Sequence, residues 1–162
     1  MVAALANGAV DAAWEVEPLI GAIQSQHVGT LIGTGLEALP GGMPWILFES
    51  PSFAEADLPT RTAFVRAYLH GMRDFAAAFS RDAAPRAPVI ATLAAHSSVH
   101  DAAVLEHIGM HTVDPNGALD LAILDRYQDY YLASGNQLRR VDLTSYVDAA
   151  PLSAAVSELG RQ

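Results

Sequence analysis

Between Pro59 and Phe79 the apolar residues Phe64, Val65, Tyr68, Leu69, Met72, Phe75, Ala76 and Phe79 recur at three- and four-residue spacing, which gathers them on one stripe of an α-helix. Arg61, Arg66, His70, Arg73 and Asp74 fall on the opposite, polar face. The period predicts an amphipathic helix of about five to six turns. Such a helix draws most of its stability from whatever covers its apolar stripe, so the rest of the chain must supply the cover. With 51% apolar and 17% charged residues it has the material for a core. Its 162 residues suit one α/β domain or a piece of something larger.

The remaining segments are short and cut by breakers. Val2 to Ala6 reads as a helical end stopped at Asn7-Gly8, and Ala9 to Trp14 as a compact apolar strand. Pro18 suits the first position of a helix running to about Gln26, and Val28 to Gly33 reads as a second strand. After the breakers Leu39-Pro40-Gly41-Gly42 comes a third strand, Pro44 to Phe48. Beyond it the texture is helical: Ala87 to Ala95, Asp101 to Ile108, and about Leu119 to Ala133, the last entered by the turn Asp114-Pro115-Asn116-Gly117 and stopped by Gly135. Val141 to Leu143 reads as extended, and Asp148 or Ser153 caps a final helix that ends at Gly160. Strand, helix, strand predicts a parallel sheet. The expected class is therefore α/β, with about three strands, five to six helices and a helix-rich C-terminal part. Three strands make an incomplete sheet, so an exposed apolar edge or face is expected of the chain alone.

Charge and composition exclude several chemistries. The formal charge is -9, from 18 acids and 9 bases, and all the bases are arginine. Without lysine there is no Schiff base and no P-loop lysine. Without cysteine there is no disulfide, thiolate nucleophile or thiolate metal site. No basic stripe is available for phosphate neutralisation, so nucleic acid is not an expected partner. Met1 to Ala13 lacks the basic start of a signal peptide, and no apolar run approaches the roughly 20 residues of a membrane helix. The chain as given is expected to be soluble, with any export signal upstream of it.

The order of these segments carries a resemblance. Leu5-Ala6-Asn7-Gly8-Ala9-Val10-Asp11-Ala12-Ala13-Trp14-Glu15-Val16-Glu17-Pro18 resembles the L-x-x-G-x-V-D-A-x-x-x-x-E-P stretch in the second half of ABC-transporter solute-binding proteins of the nitrate, sulfonate and thiamine-pyrimidine type. Leu39-Pro40-Gly41-Gly42-Met43-Pro44, Pro51-Ser52-Phe53 before Phe64-Val65-Arg66-Ala67-Tyr68-Leu69, Asp114-Pro115-Asn116-Gly117, Tyr127-Gln128-Asp129-Tyr130-Tyr131-Leu132-Ala133-Ser134-Gly135, Val141-Asp142-Leu143 and Tyr146-Val147-Asp148 follow in the family's order. The resemblance covers nearly the whole chain. It implies the C-terminal half of a type II periplasmic-binding-protein fold: residues 1-42 as the remainder of the second lobe, and residues 43-162 as a crossover strand with the C-terminal helical part of the first lobe. It further implies a periplasmic or extracytoplasmic location, a small-molecule solute, an ABC permease as partner, a missing N-terminal half or a second copy of the chain, and no cofactor.

Trp14, Glu15 and Glu17 stand at an expected strand-to-helix junction, where α/β sheets place ligands. An indole there can stack on a planar solute, and carboxylates accept from amino groups. The plain structural alternative is a buried tryptophan with two acids at a helix N-terminus. Met43 and Pro44, with Trp45, occupy the presumed crossover and are further ligand candidates. All nine arginines lie at position 61 or beyond, so the acids near Trp14 favour a neutral or cationic planar heterocycle, such as a thiamine-type pyrimidine, over a sulfonate or nitrate. The i,i+4 pairs His96/His100 and His107/His111 suggest a rival, a metal-dependent enzyme, although Ser97-Ser98 and Gly109 interrupt the helices that would align them. Asp114-Pro115-Asn116-Gly117 lacks the glycine position and final glutamate of a calcium loop. No G-x-S-x-G elbow or spaced triad marks a nucleophile. A non-catalytic dimerisation module is the remaining alternative.

Overall fold

The computed structural model describes residues 1-38, 45-79, 85-108 and 114-162. They form nine α-helices and one 3-10 turn: α1 (Val2–Ala6), α2 (Leu19–Ser25), α3 (Gly35–Ala38), α4 (Pro51–Ala54), α5 (Leu58–Phe79), α6 (Ala87–His96), α7 (Ala102–Glu106), α8 (Leu121–Ala133), the turn Leu143–Tyr146, and α9 (Ala150–Leu159). The chain divides into two compact units, the first made of Met1–Thr34 and Met72–Val113, the second of Gly35–Gly71 and Asp114–Gln162. Helix α5 begins in the second unit and ends in the first.

The expected α/β class is corrected by this architecture. Among the described residues there is no strand, and the fold is all-α. The reason lies in the backbone. A strand exists only when a neighbouring strand takes its N–H and C=O groups, and the expected strands have no such neighbour. Residues 9-14 and 28-33 instead begin as helix-ending tails: Ala9 N–H donates to Ala4 O behind Gly8 at φ +71°, and Val28 N–H donates to Ile23 O behind His27 at φ +55°. In the third run the described residues 45-48 carry no regular structure, and Met43, Pro44 and the expected boundary at 40-44 lie outside the described residues. The partial periplasmic-binding-protein architecture implied by the resemblance falls with the sheet. An isolated apolar run and a buried strand share the same composition, and only a partner distinguishes them.

The helices form where local signals are strong. Asp57, Asp101 and Asp120 precede α5, α7 and α8, and accept from Thr60 N–H (2.8 Å), Ala103 N–H (2.9 Å) and Ala122 N–H (2.9 Å). At α9 the N-cap is Ala149, without a side-chain cap; of the two expected cap residues, Asp148 accepts from Ala150 N–H at 2.9 Å from one position earlier, and Ser153 lies inside the helix. Gly135 and Gly160 follow α8 and α9 at φ +74° and +78°, a left-handed conformation that glycine adopts without a Cβ penalty. Pro18 stands one position before the first residue of α2 rather than on it.

In the first unit Ala78, Phe79, Ile90 and Leu105 form the buried core, with Phe75, Val89, Leu93, Ala94, Val99 and Ile108 packed around it. Phe75 and Phe79 stack at 4.5 Å. Arg86 closes the end of α5 by donating Nε–H to Ala78 O at 3.1 Å, its guanidinium 5.0 Å from the Phe79 ring. Helix α2 lies against α7 at Gly21, where a Cβ would stand 3.5 Å from Val104 O.

In the second unit Val65, Leu69 and Ala155 are buried, with Leu152, Val156 and Leu159 around them. Gly117 passes close to this core at φ +68°, where a Cβ would stand 3.1 Å from both Leu69 Cδ2 and Leu152 Cδ1. Buried Gln128 staples α8 to the following loop: its Nε2 donates to Val141 O (3.0 Å) and Asp125 Oδ1 (2.9 Å), and its Oε1 accepts from Val141 N–H (2.8 Å) and Gln137 Nε2 (2.8 Å).

Two substitutions test this packing by urea unfolding monitored by circular dichroism. Leu69→Ala empties a side chain with 0% exposure and is expected to cost about 2–5 kcal/mol. Gly117→Ala adds a Cβ at positive φ against two leucines and is expected to cost about 1–3 kcal/mol. A neutral Leu69→Ala would contradict the core described here.

Candidate functional site

The segment before α2 carries the tryptophan and the two acids singled out by the sequence. Glu17 Oε2 accepts from Gly21 N–H at 3.0 Å, and Val16 O accepts from Leu19 N–H at 2.9 Å. These bonds fix the segment's end to the first turn of α2, where a carboxylate also meets the positive end of the peptide dipoles. Two positions before Val16, Trp14 is 73% exposed, and among the described residues no ring pairs with it. Burial of the indole, the plain alternative, is therefore not what the structure places there. Glu15 is half-buried. The arrangement is an exposed indole next in sequence to the Glu15 carboxylate, on a segment anchored through Glu17, suited to stacking and to hydrogen bonding with amino donors.

The other candidates separate. Met43 and Pro44 lie outside the described residues. Trp45 belongs to the second unit and is 52% exposed. His96 ends α6, His100 stands between helices with Nδ1 at 2.7 Å from Ala94 O, and His107 follows α7 with Nδ1 at 2.7 Å from Ala103 O. A carbonyl only accepts, so each Nδ1 carries the proton. His96 and His100 thus share no helix face, and His111 lies outside the described residues. Among the described residues no group of three or more His, Asp or Glu is placed to hold a metal.

The structure also reveals an ionic cluster that periodicity assigned to a solvated face. Arg61 is only 8% exposed. Its Nε and Nη2 donate to Glu49 Oε2 at 2.9 and 2.6 Å, and Nη2 reaches Asp148 Oδ2 at 2.8 Å. The cluster ties the segment before α4, the start of α5 and the entry to α9. Arg73, also read as polar-face, is buried as well. The available signal was the excess of acids, which makes a buried arginine easy to pair; which acids do so depends on the tertiary fold. The Ala150 N–H and then the Arg61 guanidinium hold the Asp148 carboxyl below its ordinary range.

No family model, no curated protein and no solved structure matches this chain.

Two outcomes follow from this geometry. Trp14→Phe is expected to leave stability within about 0.5 kcal/mol, as for other exposed positions, while removing a large share of the acrylamide-quenchable emission. Because the Asp148 carboxyl is depressed, its contribution to stability is present above the unfolded value of about 3.9 and is lost as pH falls through the folded value. The melting temperature should stay level from pH 7 to about 5 and drop below about pH 4, and Asp148→Asn should flatten part of that drop. Asp57 and Asp142, depressed by hydrogen bonds from Thr60 and Thr144, retain the remainder.

Proposed function

We propose that this chain is the C-terminal, solute-binding part of an ABC-importer receptor, and that it holds a small planar heterocycle without covalent chemistry. The observation that carries the reading is the exposed Trp14 indole on a segment anchored by Glu17, within the stretch Leu5 to Pro18 that opens the resemblance. The solute stacks on Trp14, and Glu15 accepts from its amino or ring N–H groups. Glu17 is engaged at Gly21 and positions the segment. No arginine precedes position 61, so the local charge supports a neutral or cationic solute, such as an aminopyrimidine, over nitrate or a sulfonate. Release to a permease outside the cytoplasm follows from the same reading.

A second reading, a dimerisation module, is favoured by the apolar run Trp45, Ile46, Leu47 and Phe48, exposed at 52, 38, 43 and 82%. Contiguous apolar surface of this kind marks contacts with other macromolecules.

Titration of intrinsic fluorescence and melting temperature with an aminopyrimidine, nitrate and methanesulfonate separates the two. The solute-binding reading expects saturable quenching and a raised melting temperature with the aminopyrimidine, lost in Trp14→Ala and kept in Trp45→Phe. No response to any solute, together with a concentration-dependent dimer in sedimentation, would replace it with the dimerisation reading.

A further inference from the structure

The second unit carries a cleft that takes no part in the Trp14 reading. It is an open depression of about 490 Å³, and it lies between the turn at Asn116 and helix α9. Leu152 and Val156, both packed on the buried core of this unit, form its apolar floor. Ser153 and Ser157 line it four residues apart on α9, so their hydroxyls share one face of the helix. Arg161 closes it.

The backbone that carries Arg161 is held by its neighbours. Asn116 Nδ2 donates to Gln162 O at 2.8 Å, and Gln162 N–H donates to Asn116 Oδ1 at 3.0 Å. This two-point clamp pins the backbone on one side of Arg161, while the end of α9 at Gly160 pins the other. Arg61, Arg66 and Arg140 are neutralised by Glu49 with Asp148, by Glu158, and by Asp125 with Asp129. Among the described residues Arg161 has no such carboxylate partner. The nearest acid in sequence, Glu158, is engaged by Arg66. The cleft therefore presents one arginine without a side-chain ion pair, two hydroxyls and an apolar floor.

We propose that this cleft binds a small organic monoanion, a carboxylate or sulfonate with a short aliphatic body. Its charged oxygens pair with Arg161 and accept hydrogen bonds from Ser153 and Ser157, and its body lies on Leu152 and Val156. A dianion is disfavoured, because the last carbonyls of α9 carry partial negative charge at the same end and the chain as a whole is at -9. For the same reason the binding weakens as salt screens the single guanidinium.

A ¹H–¹⁵N titration of the whole chain at low ionic strength tests this. Butyrate and butanesulfonate are expected to give saturable shifts at the amides of Ser153, Ser157 and Arg161. Acetate, two methylenes shorter, is expected to bind roughly fifteenfold more weakly, since each buried methylene is worth about fourfold. Inorganic phosphate should bind more weakly than butanesulfonate. Arg161→Gln should abolish the shifts without changing the melting temperature, Ser153→Ala with Ser157→Ala should weaken them, and Trp14→Ala should leave them intact. Absence of saturable shifts, shifts that persist in Arg161→Gln, or equal affinity for acetate and butyrate would overturn the proposal.

Discussion

Helix α5 has to satisfy two cores with one sequence, and that requirement shapes the rest of the molecule. Val65 and Leu69 enter the core of the second unit, and Ala78 and Phe79 enter that of the first. Its apolar stripe, read as continuous, is therefore used in two parts, and Phe64 and Tyr68 of the same stripe remain partly exposed. Conversely, residues on its polar side become buried, and a buried charge must be paired. Arg61 meets that demand with Glu49 and Asp148, each at the entry to another helix, so the cost of burying the guanidinium is offset by fixing where α4 and α9 begin.

The cores built this way are small. Short helices such as α1, α3, α4 and α7, of four or five residues, do not stand alone in water, so they depend on caps and on the packing of their longer neighbours. Gln128 illustrates the compensation. A single buried amide whose donors and acceptor are all engaged holds the loop after α8, where apolar packing is thin. Leaving any one of those groups unpaired would cost more than the bond itself contributes.

What the sequence revealed was local. The stops at Gly135 and Gly160 were legible because a left-handed residue acts within one turn of its own position. The extent of α5 was legible because periodicity over 22 residues averages out exceptions. The strands were misread because Leu31-Ile32 and Ile46-Leu47-Phe48 have the texture of a sheet interior, yet pairing is a property of two segments and the sequence displays them one at a time. The burial of Arg61 was hidden for the same reason. Trp14 was legible as a residue worth attention, but its exposure depends on what packs over it.

That exposure bears on how the proposed solute site would work. A planar solute stacked on one indole has only one of its two faces covered, whereas small-molecule sites enclose about 70–90% of a ligand's surface. The uncovered face forgoes comparable apolar burial, and the hydrogen bonds to Glu15 must form in the presence of competing water. Tight binding on the proposed reading therefore requires a second wall closing over the first, and the affinity of Trp14 alone should be weak. The exposed apolar surface of the same unit leads to the same requirement by another route: Ile32, at 90% exposure, is unfavourable in water and becomes favourable once covered. A covering surface that buries Ile32 while completing the Trp14 site would couple ligand closure to association, since each event then lowers the cost of the other.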